Sequence, residues 1–145
     1  MKPEIIDYCR NLGMADAFIL RVSSTIDLHE ACATEPFDDI FISDYVKEDG
    51  TRAFESLWLF SKNYVYEAKN FLTEDSLDCL PNRICYWELK KRDYDLKNYS
   101  MQSRMNLKTN FRPEYRGEFK ASGVNCNYLV MIFTKYFKAQ VKASE

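Results

Sequence analysis

The stretch Leu57–Phe71, LWLFSKNYVYEAKNF, constrains this chain more than any other. Leu57-Trp58-Leu59-Phe60 and Tyr64-Val65-Tyr66, with Phe71 beyond, flank a polar break at Ser61-Lys62-Asn63. Apolar runs this short, rich in aromatics and bounded by a polar break, read as strands. We expect two strands joined by a tight turn, with the rest of the chain packed around the pair.

The surrounding sequence supports a sheet. The chain has 145 residues, of which 46% are hydrophobic and 15% aromatic. That composition argues against disorder, and the aromatics favour pleated, half-buried surfaces. The length fits one domain, 1–145. Within it we expect a helical N-terminal extension over 1–36, antiparallel strands over 37–121 and a C-terminal helix over 122–142.

Pro3 suits a first helical turn; Ile5, Ile6, Cys9 and Leu12 follow at helical spacing, and Gly13 can close the segment. Ala17–Val22 is apolar but too short to separate strand from helix. Ser24-Thr25-Ile26-Asp27 resembles an N-cap, so Thr25–Cys32 reads as helix, ended by Pro36. Asp39–Val46 alternates as a strand, and Glu48-Asp49-Gly50 is a turn signal. Ala53–Phe60 and Asn63–Phe71 are the opening pair.

Thr73–Asp78 reads as a loop, with Pro81-Asn82 as further punctuation. Arg83–Lys90 reads as a strand with Cys85, Trp87 and Leu89 on one face and Ile84, Tyr86, Glu88 and Lys90 on the other. Lys91–Ser103 is the longest expected loop. Arg104–Phe111 alternates most cleanly, with Met105, Leu107, Thr109 and Phe111 opposite Arg104, Asn106, Lys108 and Asn110: a strand with one wet face. Arg112–Tyr115 turns, and Gly117–Ala121 returns with Phe119 inward. Beyond Gly123, with Ser122 or Asn125 as cap, Leu129, Ile132, Phe133, Tyr136, Phe137 and Val141 form one apolar helical stripe. Asn127, Lys135, Lys138 and Lys142 lie opposite. The class is α+β: an antiparallel sheet or partly open barrel covered by a long C-terminal amphipathic helix, with short N-terminal helices.

Strands from Asp39 onward closed by a helix running from Gly123 to Val141 resemble the pleckstrin-homology-like (PH-like) architecture. That resemblance implies a non-enzymatic binding module. Members that bind phosphoinositides usually carry a basic K…R-x-R pattern on the first hairpin. Here that hairpin holds Glu48, Asp49 and Glu55 against Lys47 and Arg52. The resemblance therefore implies a protein or peptide partner rather than a membrane.

Net charge is −2, but residues 1–60 carry five Lys/Arg against twelve Asp/Glu and the remainder fifteen against ten. An acidic face and a basic face on one domain would each suit a partner. The best basic patch is Arg104, Lys108, Arg112, Arg116 and Lys120. It is the candidate binding surface, for protein or peptide first and for single-stranded nucleic acid as an alternative.

Glu-x-Lys occurs three times, at Glu67–Lys69, Glu88–Lys90 and Glu118–Lys120. On a strand, residues two apart share a face. PD-(D/E)xK nucleases place such a triplet beside an upstream acid to hold Mg²⁺. The alternative enzymatic reading uses Glu67, Lys69 and Asp49, or Asp44 in its place. Against it, alternating Glu and Lys on a wet sheet face also make plain cross-strand ion pairs, so we expect no catalytic site.

His29 and Cys32 do not make up a zinc site by themselves, so His29 reads as a capping or solvent-facing histidine, and the four isolated glycines exclude a phosphate loop in its usual form. No metal and no cofactor are expected. Five cysteines without a CxxC pair fit a reducing compartment. No segment reaches the roughly 20 apolar residues of a membrane span, so a cytoplasmic location is expected.

Overall fold

The computed structural model describes residues 1–95, 98–111 and 114–141. The class is α+β, with helices at both ends and two antiparallel sheets between, each open at its edges. The chain divides into two compact units, Met1–Cys79 and Leu80–Glu145. Their boundary falls inside a short strand, where no compositional break marks it.

In the first unit, α1 (Pro3–Asn11) buries Ile5, Tyr8 and Cys9 and is closed by Gly13 at φ +75°. The second helix, α2, runs unbroken over Asp16–Cys32. Ala17–Val22 is therefore helical, and Ser24-Thr25 is not an N-cap. The Ser24 and Thr25 hydroxyls instead donate back to the Leu20 and Arg21 carbonyls, each at 3.1 Å. Such back-bonding satisfies a hydroxyl inside a helix. The buried stripe is Ile19, Val22, Thr25 and His29, and its two polar members hide the period from a hydropathy reading.

The first sheet has the order β1-β2-β3-β4, with β1 Asp39–Val46, β2 Arg52–Phe60, β3 Tyr64–Lys69 and β4 Asp78–Pro81. The expected central pair is present: β2 and β3 are antiparallel, with Leu57 opposite Ala68 and Phe60 opposite Val65. Both faces of the pair are dry. Leu57, Leu59, Tyr66 and Ala68 are buried on one, and Trp58, Phe60 and Val65 on the other. Each such large side chain contributes on the order of 2 kcal/mol by leaving water.

The hairpin β1–β2 turns at Gly50, φ +87°, where Asp49 accepts from the Thr51 N–H (2.9 Å) and hydroxyl (2.6 Å). Strand β4 begins at Asp78, the last residue of the expected Thr73–Asp78 loop, and was not expected as a strand. It has four residues, only Leu80 is buried, and it ends on Pro81. A strand that short has no period to read, and proline is tolerated at a sheet edge.

In the second unit, β5 (Ile84–Arg92), β6 (Arg104–Phe111) and β7 (Tyr115–Ser122) are antiparallel in that order. Strand β6 buries Met105, Leu107, Thr109 and Phe111, as its alternation requires. Strand β5 departs from its expected faces. A bulge between Ile84 and Tyr86 brings Ile84 opposite Phe111 while Trp87 meets Thr109 and Leu89 meets Leu107. One extra residue reverses the alternation, so Ile84 joins the Trp87 face and Cys85 is exposed.

The last helix, α3, spans Asn125–Ile132 and continues as a π-helical turn over Phe133–Phe137. Its N-cap is Val124, without a side-chain cap bond, so neither Ser122 nor Asn125 serves as expected. The regular helix is also shorter than 122–142: residues 138–140 form turns, Val141 lies in a bend, and Lys142 lies outside the described residues. Arg112 in the β6–β7 connection lies outside them too.

The expected stripe nevertheless forms the core, with Leu129, Ile132, Phe133 and Phe137 buried. Phe133 meets Trp87 edge-on at 4.8 Å, and Phe137 meets Phe111 at 5.8 Å and Phe119 at 5.6 Å. The helix therefore covers the inner face of this sheet. Gln140 ties its end to β5 by accepting from the Ile84 N–H at 2.9 Å.

Gly117 is what lets these rings close over the sheet. A Cβ there would stand 2.7 Å from a Phe111 ring carbon and from the Thr109 hydroxyl. Gly117→Ala should therefore destabilise the protein by about 1–3 kcal/mol through overpacking, read from urea unfolding monitored by far-UV circular dichroism. An unchanged midpoint would mean the rings move aside freely.

Candidate functional site

The β5-β6-β7 sheet buries one face and leaves the other wet, and the register composes that wet face in rows. Arg92 and Arg104 form the first row, whose third position, Ser122, is buried, and Lys90, Asn106 and Lys120 form the second. Glu88, Lys108 and Glu118 form the third, and Tyr86, Asn110 and Arg116 the fourth. Four of the five expected basic residues, Arg104, Lys108, Arg116 and Lys120, therefore share one surface. The fifth, Arg112, lies outside the described residues. Lys90, Arg92 and Tyr86 belong to the same surface. Lys90 and Tyr86 shared a face in the sequence reading, but only the pairing register joins them to the β6 and β7 cations.

The charges along the face are uneven. Glu88 accepts from the Tyr86 hydroxyl at 3.0 Å and lies 3.5 Å from the Lys90 ammonium. The Tyr86 hydroxyl, then Lys90 and Lys108, hold its carboxyl below the ordinary range, and the same carboxylate raises the Tyr86 phenol. Glu118 accepts from the Asn106 amide at 2.9 Å. The acidic row is thus occupied by its own neighbours, with Lys108 between its two carboxylates. Positive charge remains on either side: Arg92 and Arg104 toward one end, Arg116 toward the other. Arg104 donates to the Met101 and Ser103 carbonyls at 2.8 and 2.7 Å, which fixes its guanidinium at the end of the row. These are exposed groups in high dielectric, suited to choosing a partner more than to stabilising the fold.

The residues of the enzymatic alternative are placed differently. Glu67 is buried on β3 opposite Trp58, where its carboxylate accepts from the Ser56 hydroxyl at 2.9 Å; Lys69 is exposed at the strand end. Asp49 occupies the β1–β2 turn. Six residue steps along β2 separate Trp58 from Arg52 at that hairpin end, about 20 Å along a strand. Asp44 is buried and pairs with Arg52 at 3.0 Å. Strand β3 is antiparallel to β2, without the parallel crossover such nucleases use. Among the described residues no three His, Cys, Asp or Glu side chains are grouped to hold a metal ion. Nor is any helix among them long and apolar enough to cross a membrane.

His29, expected at a cap or in solvent, is in the core of the first unit at 3% exposure. Its ring stands edge-on to Tyr66 at 4.5 Å and Phe37 at 5.3 Å, and Nε2 is buried without a hydrogen-bond partner. Burial lowers its pKa from 6.5, against a smaller upward pull from Glu30. As pH falls through 6.5 the unfolded chain takes up this proton before the folded one does. The His29 contribution to stability is therefore complete above 6.5 and declines below it. Thermal melts between neutral and mildly acidic pH should show that decline, and His29→Gln should flatten it.

Comparison with protein-family models, with curated proteins and with solved structures finds no match to this chain.

Proposed function

We propose that this chain is a non-enzymatic interaction module of PH-like type, and that its second unit takes up an extended, acidic peptide along the outer edge of β5. The order of elements supports the PH-like reading: four strands, three strands, then a helix packed on the second sheet. The observation that carries the peptide reading is β5 itself. It is a nine-residue edge strand with no ladder on its outer side among the described residues, and its exposed residues include Cys85, Tyr86 and the basic run Lys90-Lys91-Arg92.

An added strand gains main-chain hydrogen bonds from such an edge and selectivity from alternate side chains. Positions on the wet face would lie beside Tyr86, Glu88, Lys90 and Arg92, so carboxylates belong next to Lys90 and Arg92. Positions on the other face would lie beside half-buried Trp87 and Leu89 and favour apolar side chains. The expected ligand alternates acidic and apolar residues, with its acidic end at Lys90 and Arg92.

Selection from a random peptide library on the immobilised full chain tests this. Enriched sequences should show that alternation, and binding should slow amide exchange in β5. The double change Lys90→Glu with Arg92→Glu should weaken binding about tenfold, the sum of two exposed charge contacts, and added salt should weaken the unaltered protein in the same direction. Peptides without acidic enrichment, or protection confined to other strands, would refute the proposal.

A further inference from the structure

The regular part of β5 runs from Tyr86, opposite Asn110, to Arg92, opposite Arg104; the bulge between Ile84 and Tyr86 ends it on the other side. Leu89 is the middle residue of that segment, and the charges about it are lopsided. On the wet face Tyr86 and Glu88 lie to one side of Leu89, and Lys90 and Arg92 to the other. On the opposite face Trp87 and Lys91 flank it. The outer side of the strand carries no ladder among the described residues.

Symmetry restricts how a second copy of β5 can lie antiparallel along that edge. The two-fold axis stands perpendicular to the sheet, so every side chain keeps its own face and the axis passes through a residue. An axis at Glu88 opposes two carboxylates, and an axis at Lys90 opposes two ammoniums; like charges directly opposite destabilise a strand pair. An axis at Trp87 sets Lys90 against Ile84 and brings the bulge into the pairing. An axis at Leu89 opposes Glu88 to Lys90 twice over. It also sets Tyr86 against Arg92 and Trp87 against Lys91, so each ring has a cation beside it. Leu89 meets its own copy. This register uses the whole regular strand and opposes no like charges.

We infer that β5 pairs with β5 of a second copy of this chain about a two-fold axis at Leu89. The sheet then runs β7-β6-β5 through one copy and β5-β6-β7 through the next. Within one strand Glu88 reaches Lys90 at 3.5 Å along the chain direction. Directly opposed residues start closer, with Cβ atoms about 5 Å apart against about 7 Å for residues two apart on one strand. The partner's ammonium is therefore the better match for Glu88. Trp87 and Leu89 are half-buried in the single chain and lose further apolar surface at the joint. A net charge of −2 leaves little general repulsion between copies. One strand edge is small beside a standard interface, so the dimer is weak and governed by concentration. The inference shares with the peptide reading only the premise that this edge is open; a second copy and a peptide exclude one another there.

Sedimentation velocity of the full chain under reducing conditions, from about 1 μM to about 1 mM, should show a monomer–dimer equilibrium. Amide exchange in β5 should slow as the dimer fills. Glu88→Lys alone and Lys90→Glu alone should each weaken the dimer at least about tenfold, because both symmetry-related contacts become like-charged. An equimolar mixture of the two variants should recover it, since every such contact between unlike copies again joins opposite charges. The double change Glu88→Lys with Lys90→Glu should recover it within one sequence. A monomer at every concentration, a dimer indifferent to either reversal, or reversals without recovery in both the mixture and the double change would each overturn the inference. The first of these outcomes would leave the peptide reading standing, because that reading is judged on peptide binding alone.

Discussion

Strand β2 has to be dry on both sides, and the organisation of the first unit depends on that requirement. From Leu57 to Phe60 every side chain is fully buried, so alternate residues point into two different apolar layers. Such a strand cannot be an edge, and it lies between β1 and β3. Polar groups drawn into those layers need partners there. Glu67 receives the Ser56 hydroxyl, Asp44 receives Arg52, and Ser61 at the strand end is held by Glu35. These acids therefore act as parts of the packing. Of the Glu-x-Lys triplet of β3, Glu67 belongs to this set, while Lys69 is exposed at the strand end.

The second unit solves the same problem with one buried sheet face instead of two. Its sheet is covered on one face by α3 and its π turn, and the contact is aromatic: Trp87 on Phe133, Phe111 and Phe119 on Phe137. Rings of that size approach the backbone closely only where a side chain is missing, and Gly117 supplies the gap. With one face fully used for packing, the other is free to hold charge. That freedom places six cations and two carboxylates on a single surface, and it leaves β5 as an edge strand with exposed polar residues.

Some of this was legible from the residues alone. Strand β6 alternates without interruption, so both its existence and its faces follow from period two. The α3 stripe was legible for a similar reason, although its π turn and early end were not, because helix width depends on how the rings seat. Three features carried no readable period. Helix α2 buries Thr25 and His29 within its stripe. Strand β4 has one inward residue. The bulge at Cys85 shifts the alternation by a single position, which a reading of β5 alone cannot detect and only pairing with β6 reveals. The basic patch was half visible: Arg104, Lys108, Arg116 and Lys120 were read as one set, but Lys90 and Arg92 reach it through register, which is a property of two strands together.

Charge separates more sharply at the unit boundary than at any break in composition. Met1–Cys79 carries seven Lys/Arg against sixteen Asp/Glu, a formal −9, and Leu80–Glu145 carries thirteen against six, a formal +7. Mutual neutralisation would need no particular arrangement within either unit, but the arrangement within each is specific. In the second unit the acids of the wet face are spent on Tyr86, Lys90, Lys108 and Asn106, so the cations beyond them keep an excess. In the first, Glu35 is spent on a turn, while Asp27 and Glu30 stay exposed. Charge left over after local pairing, rather than total charge, is what a partner meets.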